Sequence, residues 1–418
     1  MHDSMLLNKT RTASLVMTDY GYLFALALAL YLPVDPLNWQ LERITITKHL
    51  PLLLALPPLL FTMAGARLFN RIGIRPSSLS GLGPLLTLSL LIVAGGSYAR
   101  VQLDVENTFL IAGVYMWAAP LSAAMLLRCG NPERLMRIYT VFLMISSGVV
   151  FLGLAVNYGT GEVYHELEFL VLPLLVFVTL QVKRPWPRWG WLLFFLLIAY
   201  LFKKNTAYLT TLLVLVYLLI FFAWPSWAMQ DALQKVGKIY AILALTIVLA
   251  LLAAFIIANR ESYLPTGNTE FRLRTYEIAW NKFLASPVWG TGFTGAATER
   301  FTGFDTGVAR NVLPTHSDIL DIMANGGLIG LTLWLWGLLR IARLAYDAIL
   351  NPRQLEHPHA PYAHMLACMS LAAILTYAFN PIFLQPAKSM ILWTNLGFLV
   401  GIALLAKSEA KKPTEVSP

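Results

Sequence analysis

The sequence predicts an all-α, polytopic membrane protein with about 12 transmembrane helices. Hydrophobic residues make up 57% of its 418 residues and charged residues only 13%. A soluble chain of this size carries about a quarter charged residues. Apolar runs of roughly 20 residues, the length that crosses about 30 Å of hydrocarbon as a helix, recur along the whole chain. These observations exclude a water-soluble globular protein.

The predicted spans are joined by short polar segments, except for one long loop between the ninth and the tenth span. They lie near residues 19–34, 49–64, 81–98, 107–127, 138–157, 167–182, 190–202, 205–224, 239–259, 326–345, 361–382 and 389–406. The seventh span is short, and Lys203-Lys204-Asn205 separates it from the eighth. The main alternative is that these two form one long span, which would reverse the orientation of everything that follows. The chain therefore divides into nine spans over 1–259, the long loop over 260–325, and three spans with a short tail over 326–418.

The basic residues predict the orientation of the chain. When both termini are placed in the cytoplasm, most of the 31 lysine and arginine residues fall in inside segments, as the positive-inside rule requires. The net charge of +9 is scattered over these loops and forms no basic stripe. We therefore expect the lipid bilayer, and no nucleic acid, as a partner.

The long loop, residues 260–325, is the one large segment predicted outside the membrane. Its first part has the pattern of an amphipathic helix over Asn268–Ala285, with Asn268 as the N-cap and Ser286-Pro287 at its end. The predicted apolar stripe of this helix consists of Leu273, Tyr276, Trp280 and Leu284.

His316 is the one histidine in the sequence of the long loop, and it stands beside a predicted helix start. Thr315 and Asp318 form a capping-box-like pair, which places His316 in the first turn of a short helix that ends near Ala324. Gly326-Gly327 ends this helix before the tenth span. A helix N-terminus disfavours the imidazolium ion, so a neutral imidazole there can act as a general base. The alternative is a solvent-facing histidine beside a cap.

Four basic residues on the outside are candidates for binding an anionic group. Arg272 has no acidic residue four positions away in either direction, so its guanidinium is available for bidentate binding of phosphate oxygens. Lys203 and Lys204 lie at the outer face, where the orientation rule gives no reason for positive charge. Arg310 is the nearest of the four to the candidate histidine in sequence. The alternatives are a solvated arginine and lysines that reach water from a helix end.

The sequence indicates no metal or nucleotide site. Cys129 and Cys368 have no metal-ligand spacing and no disulfide pattern. The acidic and histidine residues before the sixth span lack such spacing too and indicate a polar loop; they are Glu162, His165, Glu166 and Glu168. Phosphate-binding glycine loops and paired-cysteine zinc patterns are missing from the sequence. We therefore expect no cofactor and no metal.

Two motifs resemble the signature of a known family. The first reads His316-Ser317, nine residues, Gly327, two residues and Gly330, which matches His, Asn/Ser/Gln, nine residues, Gly, two residues, Gly. The second reads Arg272, three residues, Tyr276 and then, after a helix, Pro287-Val288-Trp289-Gly290-Thr291-Gly292, which fits Arg, three residues, an aromatic and Pro-x-x-Gly-x-Gly. With these motifs and its twelve predicted spans, the chain resembles the O-antigen ligase and polymerase superfamily of bacterial membrane glycosyltransferases.

The resemblance is specific in sequence mainly over residues 272–330, and one element departs from the family pattern. The family often has a Ser-Arg-Gly-like element near the start of a middle span, where this chain has Lys203-Lys204-Asn205. A lysine in place of that arginine keeps the charge but loses the bidentate geometry.

The resemblance implies a glycosyltransferase of the bacterial inner membrane whose active site faces the periplasm. The donor would be an O-antigen glycan on undecaprenyl diphosphate, and the acceptor would be the lipid A–core oligosaccharide. His316 would deprotonate the attacking sugar hydroxyl as a general base. The departing diphosphate would be held by cations, namely Arg272, Lys204, Lys203 and Arg310. Direct attack would invert the anomeric centre, without a metal or a nucleotide sugar.

Two further members of the superfamily and one protein of another class are alternatives. An O-antigen polymerase would use another repeat unit as the acceptor, and a protein O-oligosaccharyltransferase would use a protein hydroxyl. A transporter of lipid-linked glycans would need charged residues along a path through the spans. The predicted spans contain almost none.

Overall fold

The computed structural model describes residues 17–34, 81–102, 109–129, 131–156, 167–182, 184–202, 205–223, 268–294, 317–378 and 386–410. Within these ranges the regular structure is helical and no strand occurs, which confirms the all-α prediction. The described helices are α1 Met17–Val34, α2 Gly83–Gln102, α3 Phe109–Tyr115, α4 Ala118–Arg128, α5 Pro132–Val156, α6 Glu168–Val171, α7 Leu174–Gln181, α8 Pro185–Phe202, α9 Asn205–Leu218, α10 Asn268–Ala285, α11 Asp318–Ala345, α12 Ala360–Tyr377 and α13 Pro386–Ala410. A π-helical turn extends α9 over Leu219–Ala223, and another extends α11 over Tyr346–Leu350.

Four described segments are long and apolar enough to cross a membrane, namely Pro132–Val156, Asp318–Leu350, Ala360–Tyr377 and Lys388–Ala410. Shorter apolar helical segments cover Gly83–Ala99, Glu168–Gln181, Trp186–Phe202 and Thr206–Phe222. The chain is therefore a helical membrane protein. The number of twelve spans stays a prediction, and the spans predicted near 49–64 and 239–259 lie outside the described residues.

Two of the predicted spans are each divided into two helices at a proline. The span near 107–127 breaks between α3 and α4. Pro120 in the first turn of α4 has no N–H, and its ring clashes with a carbonyl four residues earlier, that of Met116. That carbonyl instead accepts a hydrogen bond from the N–H of Ala119 at 3.2 Å. Pro173, which also lacks an N–H, separates α6 from α7.

Helices α8 and α9 are separate elements that pack against each other. A single straight span cannot pack against itself, so the alternative of one fused span over these residues is contradicted. Helix α8 begins at Pro185, earlier than the predicted start at residue 190.

Helix α13 is the centre of the described bundle. It packs most extensively against α4 and also contacts α1, α11 and α12. A Cβ on Gly397 would overlap the Ala119 carbonyl and the Ser122 hydroxyl of α4, so only glycine permits this approach. The Ser122 hydroxyl donates to the Thr394 carbonyl at 3.1 Å across the same contact. One turn later, Gly401 faces α4 in the same way.

Candidate functional site

Helix α10 carries Arg272 next to the side that packs against α11. Its bounds are those predicted, although Asn268 is the first helical residue rather than the N-cap. Among the α10 side chains that the structure describes, Thr275 and Ala279 are buried, at 0% and 1% exposed. Both side chains are small, on the helix that packs against α11. Three members of the predicted apolar stripe lie away from these buried positions and are exposed, namely Leu273, Trp280 and Leu284.

The turn after α10 is joined to a kink in α11 by an exchange of backbone hydrogen bonds. At Gly327 the backbone has φ 58° and ψ −157°, which interrupts the helix as the sequence predicted. The kink frees the N–H groups of Leu328 and Ile329 from the helical ladder. They donate instead to the carbonyls of Pro287 at 2.8 Å and Val288 at 3.2 Å.

The carbonyls that lose these donors are satisfied by the same turn. The Ala324 carbonyl accepts from the N–H of Thr291 at 3.2 Å, and the Asn325 carbonyl accepts from the N–H of Phe293 at 3.0 Å. The side chains add a bond, because the Thr291 hydroxyl donates to the Asn325 amide oxygen at 2.8 Å. We call this arrangement of residues 286–294 against residues 324–329 the interlock.

Glycines make the interlock possible at two positions. Gly290 and Gly327 both have positive φ values, 60° and 58°. A Cβ on Gly327 would overlap the Val288 carbonyl, and a Cβ on Gly290 would lie 2.5 Å from the Asn325 carbonyl carbon. The two family motifs noted in the sequence thus meet physically, because each supplies a glycine that the backbone of the other requires.

Phe293 anchors the interlock to the membrane helices. It has a φ of 60°, which is rare for a residue other than glycine, and its side chain is 2% exposed. Its ring lies edge-on to that of Phe109 in α3, with the centroids 5.8 Å apart. A Cβ on Gly95 of α2 would overlap the Gly292 carbonyl, so α2 also packs directly on this turn.

Helix α11 begins two residues later in the chain than the predicted cap implied. Ser317, not Thr315, is the N-cap, and its hydroxyl accepts from the N–H of Leu320 at 3.5 Å. The first helical residue is Asp318, so the prediction that the first turn contains His316 was wrong. Asp318 and Asp321, the acidic residues of this first turn, are 1% and 0% exposed. Two buried carboxylates therefore follow His316 in the chain, that of Asp318 two residues later and that of Asp321 five residues later.

Arg272, Tyr276 and Asp321 come together where α10 faces α11. Burial raises the pKa of the Tyr276 phenol, the Arg272 guanidinium opposes this shift, and the Asp321 carboxylate adds to it. Both charged groups therefore influence the pKa of the same hydroxyl, that of Tyr276. Burial of a carboxylate is costly unless charged or polar groups compensate it, and Asp321 and Arg272 both take part in interactions of a polar or electrostatic kind. The Asn325 amide, which donates to the Asp321 carbonyl at 2.9 Å, links this cluster to the interlock.

Glu168 at the start of α6 is a third buried carboxylate. It is 0% exposed and accepts a hydrogen bond from the hydroxyl of Thr206 at 2.5 Å. Thr206 lies in the first turn of α9, directly after Lys203-Lys204-Asn205 in the chain. The prediction of a mere polar loop was wrong for Glu168. The sequence signal that could have identified it is a single acidic residue at the start of an apolar run.

Of the residues predicted for the site, Arg272 alone falls within the described parts of the chain. His316, Lys203, Lys204 and Arg310 lie outside the described residues. In the described ranges no group of three or more His, Cys, Asp or Glu side chains could hold a metal ion. No sequence motif singled out Asp321, which follows Ser317 by about one helical turn and shares a face with Asn325.

The family comparison covers the whole candidate site. A family model described as O-antigen ligase matches residues 190–335, which include Lys203, Lys204, Arg272, Arg310 and His316. No curated protein matches the chain. Residues 190–335 thus match the O-antigen ligase family, which supports the resemblance of this chain to the O-antigen ligase and polymerase superfamily.

Proposed function

We propose that this protein is an O-antigen ligase. It transfers a glycan from undecaprenyl diphosphate to the lipid A–core oligosaccharide at the periplasmic face of the bacterial inner membrane. The observation that carries the proposal is the interlock, because it joins the helix that bears Arg272 to the helix whose start follows His316. Both parts lie within the family match.

In the proposed reaction an acceptor hydroxyl attacks the anomeric carbon of the donor sugar. The bond from that carbon to the diphosphate oxygen breaks as the new glycosidic bond forms, so the configuration inverts. His316 takes the proton of the hydroxyl as a general base. No metal or nucleotide is required.

Arg272 binds the diphosphate in this proposal. A guanidinium presents paired donors that match two phosphate oxygens, and charge develops on those oxygens as the bond to the sugar breaks. The charges of Arg272 and Asp321 both reach the Tyr276 hydroxyl, so we infer that the Asp321 carboxylate orients the guanidinium before the donor arrives. Lys204, Lys203 and Arg310 supply further positive charge.

The proposed topology has twelve spans with both termini in the cytoplasm. Residues 1–259 form spans one to nine, residues 260–325 form a periplasmic loop that carries the catalytic region, and residues 326–418 form the last three spans and a short tail. We infer that the boundary between loop and span lies at the kink at Gly327, where the short helix after Ser317 meets the rest of α11.

Deletion of the gene tests the proposal and separates it from the other members of the superfamily. A ligase deletion leaves lipid-linked polymer in the membrane while lipopolysaccharide carries the core only. The wild-type chain restores the full-length lipopolysaccharide, and Arg272→Ala inserted at equal amount does not. Loss of the polymer itself would instead identify a polymerase. Intact lipopolysaccharide with lost protein glycosylation would identify a protein O-oligosaccharyltransferase.

A further inference from the structure

Helix α10 has an exposed apolar face in addition to the side packed on α11. Leu273, Trp280 and Leu284 are 54%, 47% and 56% exposed. Their spacing of seven and four residues places them along one stripe of the helix, at about 100° per residue. In the turn that follows, Val288 and Trp289 continue the exposed apolar surface at 49% and 64%.

A polar face lies beside this stripe. Asn281 is exposed and follows Trp280 directly, so its side chain points about 100° away around the helix axis. Glu277, one turn before Asn281, is exposed on the same side at the edge of the stripe, whereas Lys282 lies opposite the stripe. Helix α10 therefore has three surfaces: one packed on α11, one apolar and exposed, and one polar.

The exposed stripe is continuous with the apolar surface of a membrane span. Leu328 is 49% exposed, and its N–H donates to the Pro287 carbonyl at the end of the stripe. Further along α11, Leu335, Trp336 and Leu339 are exposed within the segment that is apolar enough to cross the membrane. Exposed apolar side chains of a spanning helix face lipid acyl chains, so the apolar surface of α10 begins where that lipid-facing surface ends.

We propose that α10 lies in the boundary between headgroups and acyl chains of the outer leaflet, with Leu273, Trp280 and Leu284 inserted in the lipid. An amphipathic helix with a tryptophan on its apolar side is typical of this location. The occupant of the face is bulk phospholipid, not a second copy of the chain and not the donor. The interlock fixes α10 to the span at this level, because it ties residues 287–293 to the kink of α11.

This location has a consequence for Arg272, which rests on the proposed function. Arg272 precedes Leu273 and therefore lies about 100° from the inserted stripe, towards α11. A helix seated at the headgroup level holds this guanidinium at the depth where the phosphates of a polyprenyl diphosphate lie in the same leaflet. The donor can then reach Arg272 by lateral diffusion, without leaving the membrane.

Spin labels on the apolar and the polar side of α10 test the location. Single cysteines replace Leu284 on the apolar stripe and Asn281 on the polar face, in a full-length Cys129→Ser chain reconstituted into phosphatidylethanolamine–phosphatidylglycerol vesicles. Cys368 is fully buried and stays. We expect the label at 284 to collide more with oxygen than with a water-soluble nickel complex, and the label at 281 to show the reverse. A Trp280→Cys label repeats the first result at a second site on the stripe.

Greater collision with nickel at 284 and 280 would overturn the proposal, because the stripe would then face water. Spin–spin broadening at 284 that disappears on dilution with unlabelled protein would overturn it too, since a second copy would cover the stripe. These readouts need no donor or acceptor. A negative result in these label experiments therefore does not bear on the proposed transfer reaction. Conversely, the location of α10 can be measured even if the protein proves inactive in glycan transfer.

Discussion

Replacing Gly327 by alanine tests whether the interlock positions the reactive parts of the loop. With φ 58° and ψ −157°, Gly327 occupies a region of backbone conformation that is essentially restricted to glycine. An alanine there costs on the order of 1–3 kcal/mol in backbone strain alone. Its Cβ would also overlap the Val288 carbonyl, which belongs to the backbone and cannot rotate away.

The strain acts directly on hydrogen bonds that can be monitored. The N–H groups of Leu328 and Ile329 donate to the turn after α10, so opening of the interlock exposes both to solvent. A destabilisation of 1–3 kcal/mol increases their hydrogen exchange by about 5-fold to about 150-fold. Hydrogen exchange read by mass spectrometry on purified, reconstituted Gly327→Ala protein measures this change, and glycan transfer should decrease with it.

Gly330 supplies the matched control, because it is the other glycine of the same motif. A Cβ at this position would lie 3.5 Å from the Ile322 carbonyl and 3.6 Å from the ring of Phe293, which are ordinary contacts. Gly330→Ala should leave exchange at residues 328 and 329 nearly unchanged. Equal effects of both substitutions, or an unchanged exchange in Gly327→Ala, would refute the role given to the kink.

Three further predictions concern the site and the bundle. Asp321→Asn removes a charge that orients Arg272, so the KM for the donor should rise about tenfold, or about 1.4 kcal/mol, while kcat changes less; an unchanged KM contradicts this role. Gly397→Ala should lower the thermal stability of the protein in detergent by about 1–3 kcal/mol because it overpacks the contact of α13 with α4, whereas Gly148→Ala, with nothing within 4 Å, should not. His316→Ala should lose about 10²–10⁴-fold in rate, and the wild-type rate should fall at low pH as the imidazole gains a proton. His316→Gln as fast as wild type would show that this residue only orients the acceptor.

The sequence predicted the features that depend on local chemistry. Helix α10 has the predicted bounds because Ser286-Pro287 blocks its continuation. The break at Gly327 was predicted because paired glycines end helices, and the helical membrane class follows from composition. The sequence linked Arg272 to Tyr276 only through the family motif, in which an arginine is followed after three residues by an aromatic residue.

Features that depend on tertiary packing were not predicted. The pattern gave Leu273 and Trp280 as an apolar stripe of α10 but not which side of the helix packs, and the buried residues are Thr275 and Ala279. Thr315 and Ser317 both carry hydroxyls that can cap a helix, and local sequence could not decide between them.

The burial of acidic residues was also not predicted from the pattern. Asp321 seemed to be an ordinary acidic residue of a first helical turn, and Glu168 seemed to belong to a polar loop. Both are fully buried because elements distant in sequence, α10 for Asp321 and α9 for Glu168, close over them. A single sequence does not show which elements meet, so these carboxylates emerge only from the fold.

Glycan transfer by the purified chain tests the central proposal most directly. The full-length protein is reconstituted with undecaprenyl diphosphate-linked O-antigen and lipid A–core, in the presence of a chelator and without nucleotide. We predict glycosylated lipid A–core and free undecaprenyl diphosphate in equal amounts, with inverted anomeric configuration, and loss of both products in Arg272→Ala and His316→Ala. Movement of the lipid-linked glycan across the bilayer without any transfer product, by a protein that is folded and inserted, would contradict the account.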